Sequence, residues 1–231
     1  MGGMTTPHPY GTPGAPHLTV RGEAHLEAAP DLARIAVTLT ARGRDRRSTL
    51  DDLTRRNAAA LELLKSCGDA VEHLETGALT VTPELSAHGR GERVRAHHGA
   101  VHLTAELGDF TALGELATRL ADLELTRVDG PWWTLRPGSP AHREARQQAV
   151  HDALRRAREY AEALGTELAA LIELGDTGTM PEQPEPFART RSMAFAAATE
   201  DAGPAPLDLE PRRQRIHAEV TARFTLRPPR L

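Results

Sequence analysis

The chain has 231 residues, enough for one large domain or two small ones, and its hydrophobic core must be mostly aliphatic because aromatic residues make up only 3%. Its net charge of −4 disfavours a protein that binds nucleic acid through phosphate contacts, so no nucleic-acid partner is predicted. A single cysteine, Cys67, rules out an intrachain disulfide and is compatible with a reducing compartment.

Residues 1–16 are rich in proline and glycine, which predicts a disordered leader because such a segment buries little apolar surface. The segment has neither the basic stretch nor the apolar stretch of a secretory signal. No part of the sequence approaches the ~20 apolar residues that span a bilayer. These observations predict a cytoplasmic protein without a membrane span.

The next elements follow from hydrophobic periodicity. A period of two predicts one strand from His17 and a second from Leu32. Helical spacing follows, with Ser48 as the candidate N-cap and Gly68 as the stop. Two further strands are predicted, the second of them at 94–107.

The second half begins with a helix at 110–120 and a strand at 128–135. A long helix at 140–164 then carries small residues every four positions, a spacing that permits close packing on a sheet. This alanine ladder consists of Ala145, Ala149, Ala153, Ala157 and Ala161. A strand follows, in which alternation places Leu168, Ala170, Ile172 and Leu174 on one face.

The chain ends with a long loop at 176–206, a clearly alternating strand at 216–226 and a short tail at 228–231. The predicted order is therefore ββαββαβαβ, then the loop, then β. Mixed strands with helices gathered on one side predict an α+β fold, a two-layer sandwich of a mixed, largely antiparallel sheet with helices on one face. A division into two interleaved subdomains stays open as an alternative.

The first strands also carry the residues of a family resemblance. The run Leu18-Thr-Val-Arg-Gly-Glu23, followed by Ala29-Pro-Asp-Leu-Ala33, resembles the start of SIMPL-domain proteins. Leu113-Gly114 and the alanine ladder that ends at Gly165 resemble later parts of that family. The resemblance implies one SIMPL-like domain at 17–227, flanked by the leader and the tail and containing the flexible loop 176–206.

The same resemblance carries functional expectations. It implies homo-oligomers, ring-like or channel-like in some members, and names such as oxidative-stress-defence protein and kinase-associated signalling protein. It implies no catalytic residues. Many bacterial members carry a signal peptide and work in the periplasm or envelope, a pattern from which this leader departs.

Histidines are the obvious candidates for a metal site. His97 and His98 would point to opposite faces of a strand, and His98 and His102 would share a face but lie ~13 Å apart at ~3.3 Å per residue. One zinc ion with bonds of ~2 Å cannot join them, so polar positions on an exposed strand are the favoured interpretation. No metal site and no cofactor are predicted.

Catalytic motifs are missing from the sequence as well. It contains no zinc-protease box on a helix, no phosphate-binding loop, no dinucleotide fingerprint and no nucleophile elbow. We therefore expect a protein that is not an enzyme, with no catalytic residues.

A candidate interface comes from two features. Adjacent tryptophans on a strand must face opposite ways, and the outward one suggests a protein interface, a second packing layer or a small-molecule groove. The outward face of the last strand mixes both signs of charge, which suits pairing with a second copy of the chain. The candidate interface residues are Trp132, Trp133, Arg215, His217, Glu219 and Arg223.

Together these observations predict a non-enzymatic, self-associating scaffold or interaction protein of the SIMPL type, with a link to stress defence that the resemblance implies. The expected partners are further copies of the chain or another protein. The alternative is a small-molecule-binding protein with a pocket between helices and sheet.

Overall fold

The computed structural model describes residues 11–85, 94–181 and 207–230, the last five of the middle range by their backbone alone. These residues form two compact units. The first unit takes residues 11–29, 137–181 and 213–230, and the second takes 30–85, 94–136 and 207–212. The units interleave along the chain, in agreement with the two-subdomain alternative.

Strands and helices follow one another in the predicted order, with one short strand added at the start. The elements are β1 (Gly11–Thr12), β2 (Ala15–Ala28), β3 (Leu32–Gly43), α1 (Arg46–Ser66), a 3-10 turn (Gly68–Ala70), β4 (Val71–Leu85), β5 (Val94–Leu107), α2 (Phe110–Ala121), β6 (Thr126–Thr134), α3 (Pro140–Ala163), β7 (Leu168–Pro181) and β8 (Gln214–Leu226). The α+β class is confirmed, and every strand pairing in the two described sheets is antiparallel.

In the first unit the sheet has the order β1-β2-β8-β7, and α3 packs on one of its faces. Alternation along β8 decides which residues face the helix, because successive side chains of a strand point to opposite sides. The buried members of this strand are Ile216, Ala218, Val220, Ala222, Phe224 and Leu226. The sequence prediction for this face is confirmed.

The alanine ladder of α3 lies against this sheet. All five alanines are at most 2% exposed. Their small side chains let the helix backbone approach β2, where Gly22 has no side chain to obstruct it. Pro140 occupies the start of the helix, and Gly165 follows its end with a φ of +63°, a backbone conformation that glycine adopts without strain.

In the second unit the sheet has the order β4-β5-β3-β6, with α1 and α2 packed on it. Its core comes from β3, β5 and the two helices; the largest fully buried members are Ile35, Leu39, Leu53, Leu64, Leu103, Leu107, Leu113, Leu116 and Leu120. The N-cap of α1 is Asp45 rather than the predicted Ser48, because the Asp45 carboxylate accepts a hydrogen bond from the Ser48 backbone N–H at 2.9 Å.

Three sequence predictions about boundaries and faces need correction. Residues 11–16 are not a disordered leader, since Gly11 pairs with Pro16 and Thr12 with Ala15 in a short hairpin. The residues at 176–181, predicted as loop, continue β7, because β8 supplies them with a pairing partner. Residues 1–10 and 182–206, the rest of the predicted leader and loop, lie outside the described residues.

The third correction concerns which side chains of β7 face the helix. Leu171 lies opposite the buried Phe224, and Leu174 opposite the buried Ala222. A register shift follows Leu171, so that Ile172 does not continue the simple alternation. A bulge inserts one extra residue and turns the following side chains to the other face, which local alternation in the sequence cannot anticipate.

Among the helices of the described residues, none combines the length and the apolar character needed to cross a membrane.

Candidate interaction surfaces

The two adjacent tryptophans of β6 have different environments. Trp133 lies opposite Ala33 and packs edge-on against Phe110 with ring centroids 4.8 Å apart, next to the core of the second unit. Trp132 lies opposite Arg34 and is 49% exposed. Trp133 is therefore a packing residue, and Trp132 keeps its place as a predicted interface residue.

The charged stripe of β8 lies on the face of the first sheet that α3 does not cover. Its arginines pair within the sheet: Arg215 with Glu27 at 3.3 Å and Arg223 with Glu173 at 3.2 Å. Glu219 pairs with Arg21. These cross-strand pairs account for the alternating charges without a second copy of the chain.

The predicted strand pairing through β8 is wrong. β8 has β2 on one side and β7 on the other, so both of its edges already form backbone hydrogen bonds within the chain. Only an edge strand offers free N–H and C=O groups to another copy. Trp132 belongs to the second unit and the β8 stripe to the first.

The histidines of β5 occupy both sides of the second sheet, as predicted. His97 is half-buried, whereas His98 and His102 are exposed. His102 Nδ1 lies 3.0 Å from the Thr38 hydroxyl, and His98 lies opposite Arg42. Within the ranges that the structure covers, no three His, Cys, Asp or Glu side chains are grouped closely enough to hold a metal ion.

A groove separates α3 from β7 in the first unit, with a volume of about 640 Å³. We call it the α3–β7 groove. Its apolar lining includes Leu154 and Ala161 on the helix, Leu168 and Leu171 on the strand, and Phe224 on β8. It exists because the alanine ladder brings α3 over β2 and β8, which leaves the helix-facing side of β7 only partly covered.

The strand that borders this groove is an edge strand with apolar side chains in solvent. Leu171 is 54% exposed, Ile172 45% and Leu174 47%. The only described neighbour of β7 is β8, so its outer edge has no strand partner within the described residues. This surface was not predicted from the sequence, although Leu171, Ile172 and Leu174 place three large aliphatic residues within four positions.

The residues that carry the family resemblance hold backbone segments together. A Cβ at Gly22 would lie 2.7 Å from the Cβ of Ala153, so this glycine is required by the approach of α3. The next residue, Glu23, donates its backbone N–H to Oδ2 of Asp152 at 3.0 Å. The Gly-Glu pair therefore joins β2 to α3.

Two more signature positions have a similar structural role in the second unit. Asp31 Oδ1 accepts the backbone N–H of Arg136 at 2.6 Å, which fixes the chain after β6. Gly114 on α2 lies under Leu207, and a Cβ there would clash with the Leu207 carbonyl oxygen.

Four carboxyl groups among the described residues have a clearly shifted pKa, and in all four the pKa is lowered. Burial works to raise the pKa of Asp152, but the Glu23 N–H, Arg155 and Arg156 outweigh it and lower the pKa overall. Hydrogen bonds lower the pKa values of the other three, Asp45, Asp52 and Glu84, through Ser48, Arg56 and Arg42 respectively. Such groups stay ionised and are unsuited to act as general acids.

Comparison with known protein families agrees with the architecture. The model of the SIMPL family, described as "Protein of unknown function (DUF541)", matches residues 18–224. The chain belongs to the SIMPL family. The match runs from β2 to β8 and so includes strands of both units of this SIMPL protein.

Two curated relatives bear the name "26 kDa periplasmic immunogenic protein". They come from Brucella melitensis biotype 1 and Brucella abortus strain S19, and each is 22% identical to this SIMPL chain over 189 residues. The aligned region is 80% of this chain and 75% of each relative.

The names of these relatives contradict the cytoplasmic location predicted from the sequence. The prediction rested on a leader without the features of a secretory signal and on the absence of a long apolar stretch, and the single cysteine was only compatible with it. A domain with one cysteine depends on neither an oxidising nor a reducing compartment, so its folded part could not decide the location.

Proposed function

We propose that this SIMPL chain is a non-enzymatic, periplasmic interaction protein that associates with further copies of itself through the edge of β7. The observation that carries the proposal is the exposure of Leu171, Ile172 and Leu174 on a strand that has one neighbour among the described strands. A long edge strand with exposed apolar side chains is a template for pairing with another chain.

A second copy of the chain fits this edge for a geometric reason. Two β7 strands that pair antiparallel are related by a twofold axis perpendicular to the sheet, so the helix-covered faces of both copies lie on the same side. Leu171 and Leu174 of each copy would then approach those of the other. The two α3–β7 grooves would join into one apolar layer between two α3 helices.

Two other long edge strands, β4 and β6, fit such pairing less well. Leu79 is the one exposed large apolar residue in the middle of β4, between Ala78 and Thr80. On β6, Trp132 is flanked by Trp133, which packs against the core, and by Pro131, which has no N–H to donate. The apolar character of β7 therefore favours its edge over those of β4 and β6.

Light scattering of the full chain at micromolar concentration tests self-association. We expect a multiple of the 25.0 kDa chain mass for the wild type. The Leu171→Lys variant should fall to the mass of one chain, because a lysine on the edge blocks pairing. Leu79→Lys is the matched control, since Leu79 is 60% exposed on an edge strand of the other sheet, and it should keep the wild-type mass.

Two results would contradict this proposal. One is a wild-type mass near that of one chain, unchanged on dilution. The other is a Leu171→Lys variant that keeps the wild-type mass while it remains folded by circular dichroism.

The periplasmic location is proposed from the names of the two relatives. Osmotic-shock fractionation of the native host, with the chain detected by antibody, should release it together with a periplasmic marker enzyme. Co-fractionation with a cytoplasmic marker would contradict this part of the proposal.

A stress-defence role enters the proposal only through the family resemblance. A deletion strain should lose viability in peroxide relative to its parent, and a plasmid copy of the gene should restore survival. Equal survival of the deletion strain and its parent would exclude this role.

A second candidate function is small-molecule binding in the α3–β7 groove. Its volume of about 640 Å³ lies within the range of ordinary ligand pockets, and its apolar lining suits an apolar or amphipathic molecule. A thermal-shift screen against metabolites and lipids tests this function. A true ligand should raise the melting temperature of the wild type but not that of Leu154→Trp, in which a larger side chain at a partly buried lining position occupies the groove.

A further inference from the structure

We propose that His25 and His217 form a binding site for a divalent transition-metal ion on the face of the first sheet that α3 leaves open. The two residues lie directly opposite each other on β2 and β8. Their ring centroids are 4.5 Å apart, with planes tilted by 33°. This inference is independent of self-association through β7.

The spacing of the two rings suits a shared ion. Two imidazole nitrogens that each bind one ion at ~2.0–2.1 Å lie roughly 3–3.5 Å from one another. Rings whose centroids are 4.5 Å apart reach this spacing with small side-chain rotations. His25 is exposed and has room to rotate.

The nitrogen of His217 that faces the surface is Nε2, because its Nδ1 is buried. Nε2 lies 3.9 Å from Oε2 of Glu219. Nε2 is therefore the ring nitrogen of His217 that would bind the ion.

The surroundings leave space for the remaining ligands of the ion. A depression of about 350 Å³ is lined by both histidines together with Leu26, Glu27, Arg215 and Ile216. Glu219, held by Arg21, adds a negative charge beside the His217 ring. Water molecules can occupy the depression and complete the coordination sphere.

The chemistry of the site indicates which ions it would bind. Two imidazoles without a third protein ligand make an open, exchangeable site rather than a closed structural one. Imidazole suits Cu²⁺, Ni²⁺ and Zn²⁺, and affinity rises to a maximum at Cu²⁺ in the usual order of divalent ions. We therefore expect Cu²⁺ to bind more tightly than Ni²⁺ or Zn²⁺.

The experiment is calorimetric titration of tag-free full-length protein with Cu²⁺ and Zn²⁺, with electron paramagnetic resonance of the Cu²⁺ complex to count the nitrogen ligands. The wild type should bind one Cu²⁺ at a site with two imidazole nitrogens. His25→Ala and His217→Ala should each weaken that site by more than the about 10–100-fold that loss of an outer-shell partner costs. Binding should also weaken at lower pH, because protons compete for the same lone pairs.

His102→Ala is the matched control, because His102 is also an exposed histidine on a strand, in the other sheet. It should leave the Cu²⁺ affinity and the nitrogen count unchanged. If His217→Ala fails to fold, His25→Ala still decides the outcome, because His25 is exposed. Equal affinity in the wild type and the His25→Ala variant, or no Cu²⁺ binding by the wild type, would overturn the proposal.

Discussion

A Cβ atom added to Gly22 of β2 would lie 2.7 Å from the Cβ of Ala153 on α3, and closer still to the carbonyl oxygen of Ala149. The helix therefore lies closer to the sheet than a residue with a Cβ atom at position 22 would permit. Since backbone atoms on both sides take part, this contact cannot relax by a rotation of one side chain.

Gly22→Ala should destabilise the protein by at least about 1–3 kcal/mol, the usual cost of overpacking a core. Urea unfolding followed by circular dichroism measures the change. Gly14→Ala is the control, because a Cβ at Gly14 meets no atom within 4 Å. Equal midpoints for Gly22→Ala and Gly14→Ala would show that α3 does not lie on β2 as described.

The helix side of the same contact gives a second prediction. Ala153→Leu should cost about 1–3 kcal/mol, because Ala153 is only 1% exposed and its neighbours leave no space for a larger side chain. Ala163→Leu makes the same change at an exposed position of α3 and should stay within about 0.5 kcal/mol of the wild type. Thermal and urea melts of the two variants together check this prediction, which fails if they are equally stable.

The carboxylate of Asp152 should make the stability of the folded protein depend on pH. Because the pKa of Asp152 is lowered in the folded state, its contribution is complete above the ordinary pKa of aspartate, about 3.9, and is lost as pH falls through the folded value. Asp152→Asn should therefore reduce stability at neutral pH, and the difference from wild type should shrink below about pH 4.

Urea midpoints of both proteins between pH 2.5 and 7 measure this difference. Asp51→Asn, at an exposed position of α1, serves as control and should change stability by no more than about 0.5 kcal/mol at neutral pH. A gap between wild type and Asp152→Asn that widens as the pH falls would reverse the predicted sign.

Substitution of the two tryptophans one at a time should show that the packed indole contributes more to stability than the exposed one. Trp133→Ala should cost about 3–5 kcal/mol, because it removes an indole that packs on Phe110 and the core. Trp132→Ala should cost far less, because about half of this side chain is already in solvent. Urea melts measure stability, and light scattering of Trp132→Ala shows whether this residue is also an interface residue, in which case the mass should fall.

Several elements could be predicted from the sequence because the evidence for them is local. Alternation identified the buried face of β8, and four-residue spacing identified the buried alanines of α3. The adjacency of Trp132 and Trp133 required one of them to face outward. Each of these inferences uses only the geometry of a single strand or helix.

Other features depended on partners distant in sequence. The register shifts of β7 follow from its pairing with β8, and the extension of β7 to Pro181 has the same origin. The charges of Arg215 and Arg223 resembled a free interface in the sequence, yet both have partners on neighbouring strands. The hydrophobic periodicity of a sequence indicates which face of a strand a residue occupies, but not which strand pairs with that strand.

The sequence by itself determined the family, the order of strands and helices and the buried faces of β8 and α3, because periodicity and small-residue spacing are properties of one segment. Only the tertiary structure decided that β8 is a central strand, that β7 is an apolar edge and that His25 lies beside His217. These relationships join residues from opposite ends of the chain. They depend on strand order and register, which long-range packing sets.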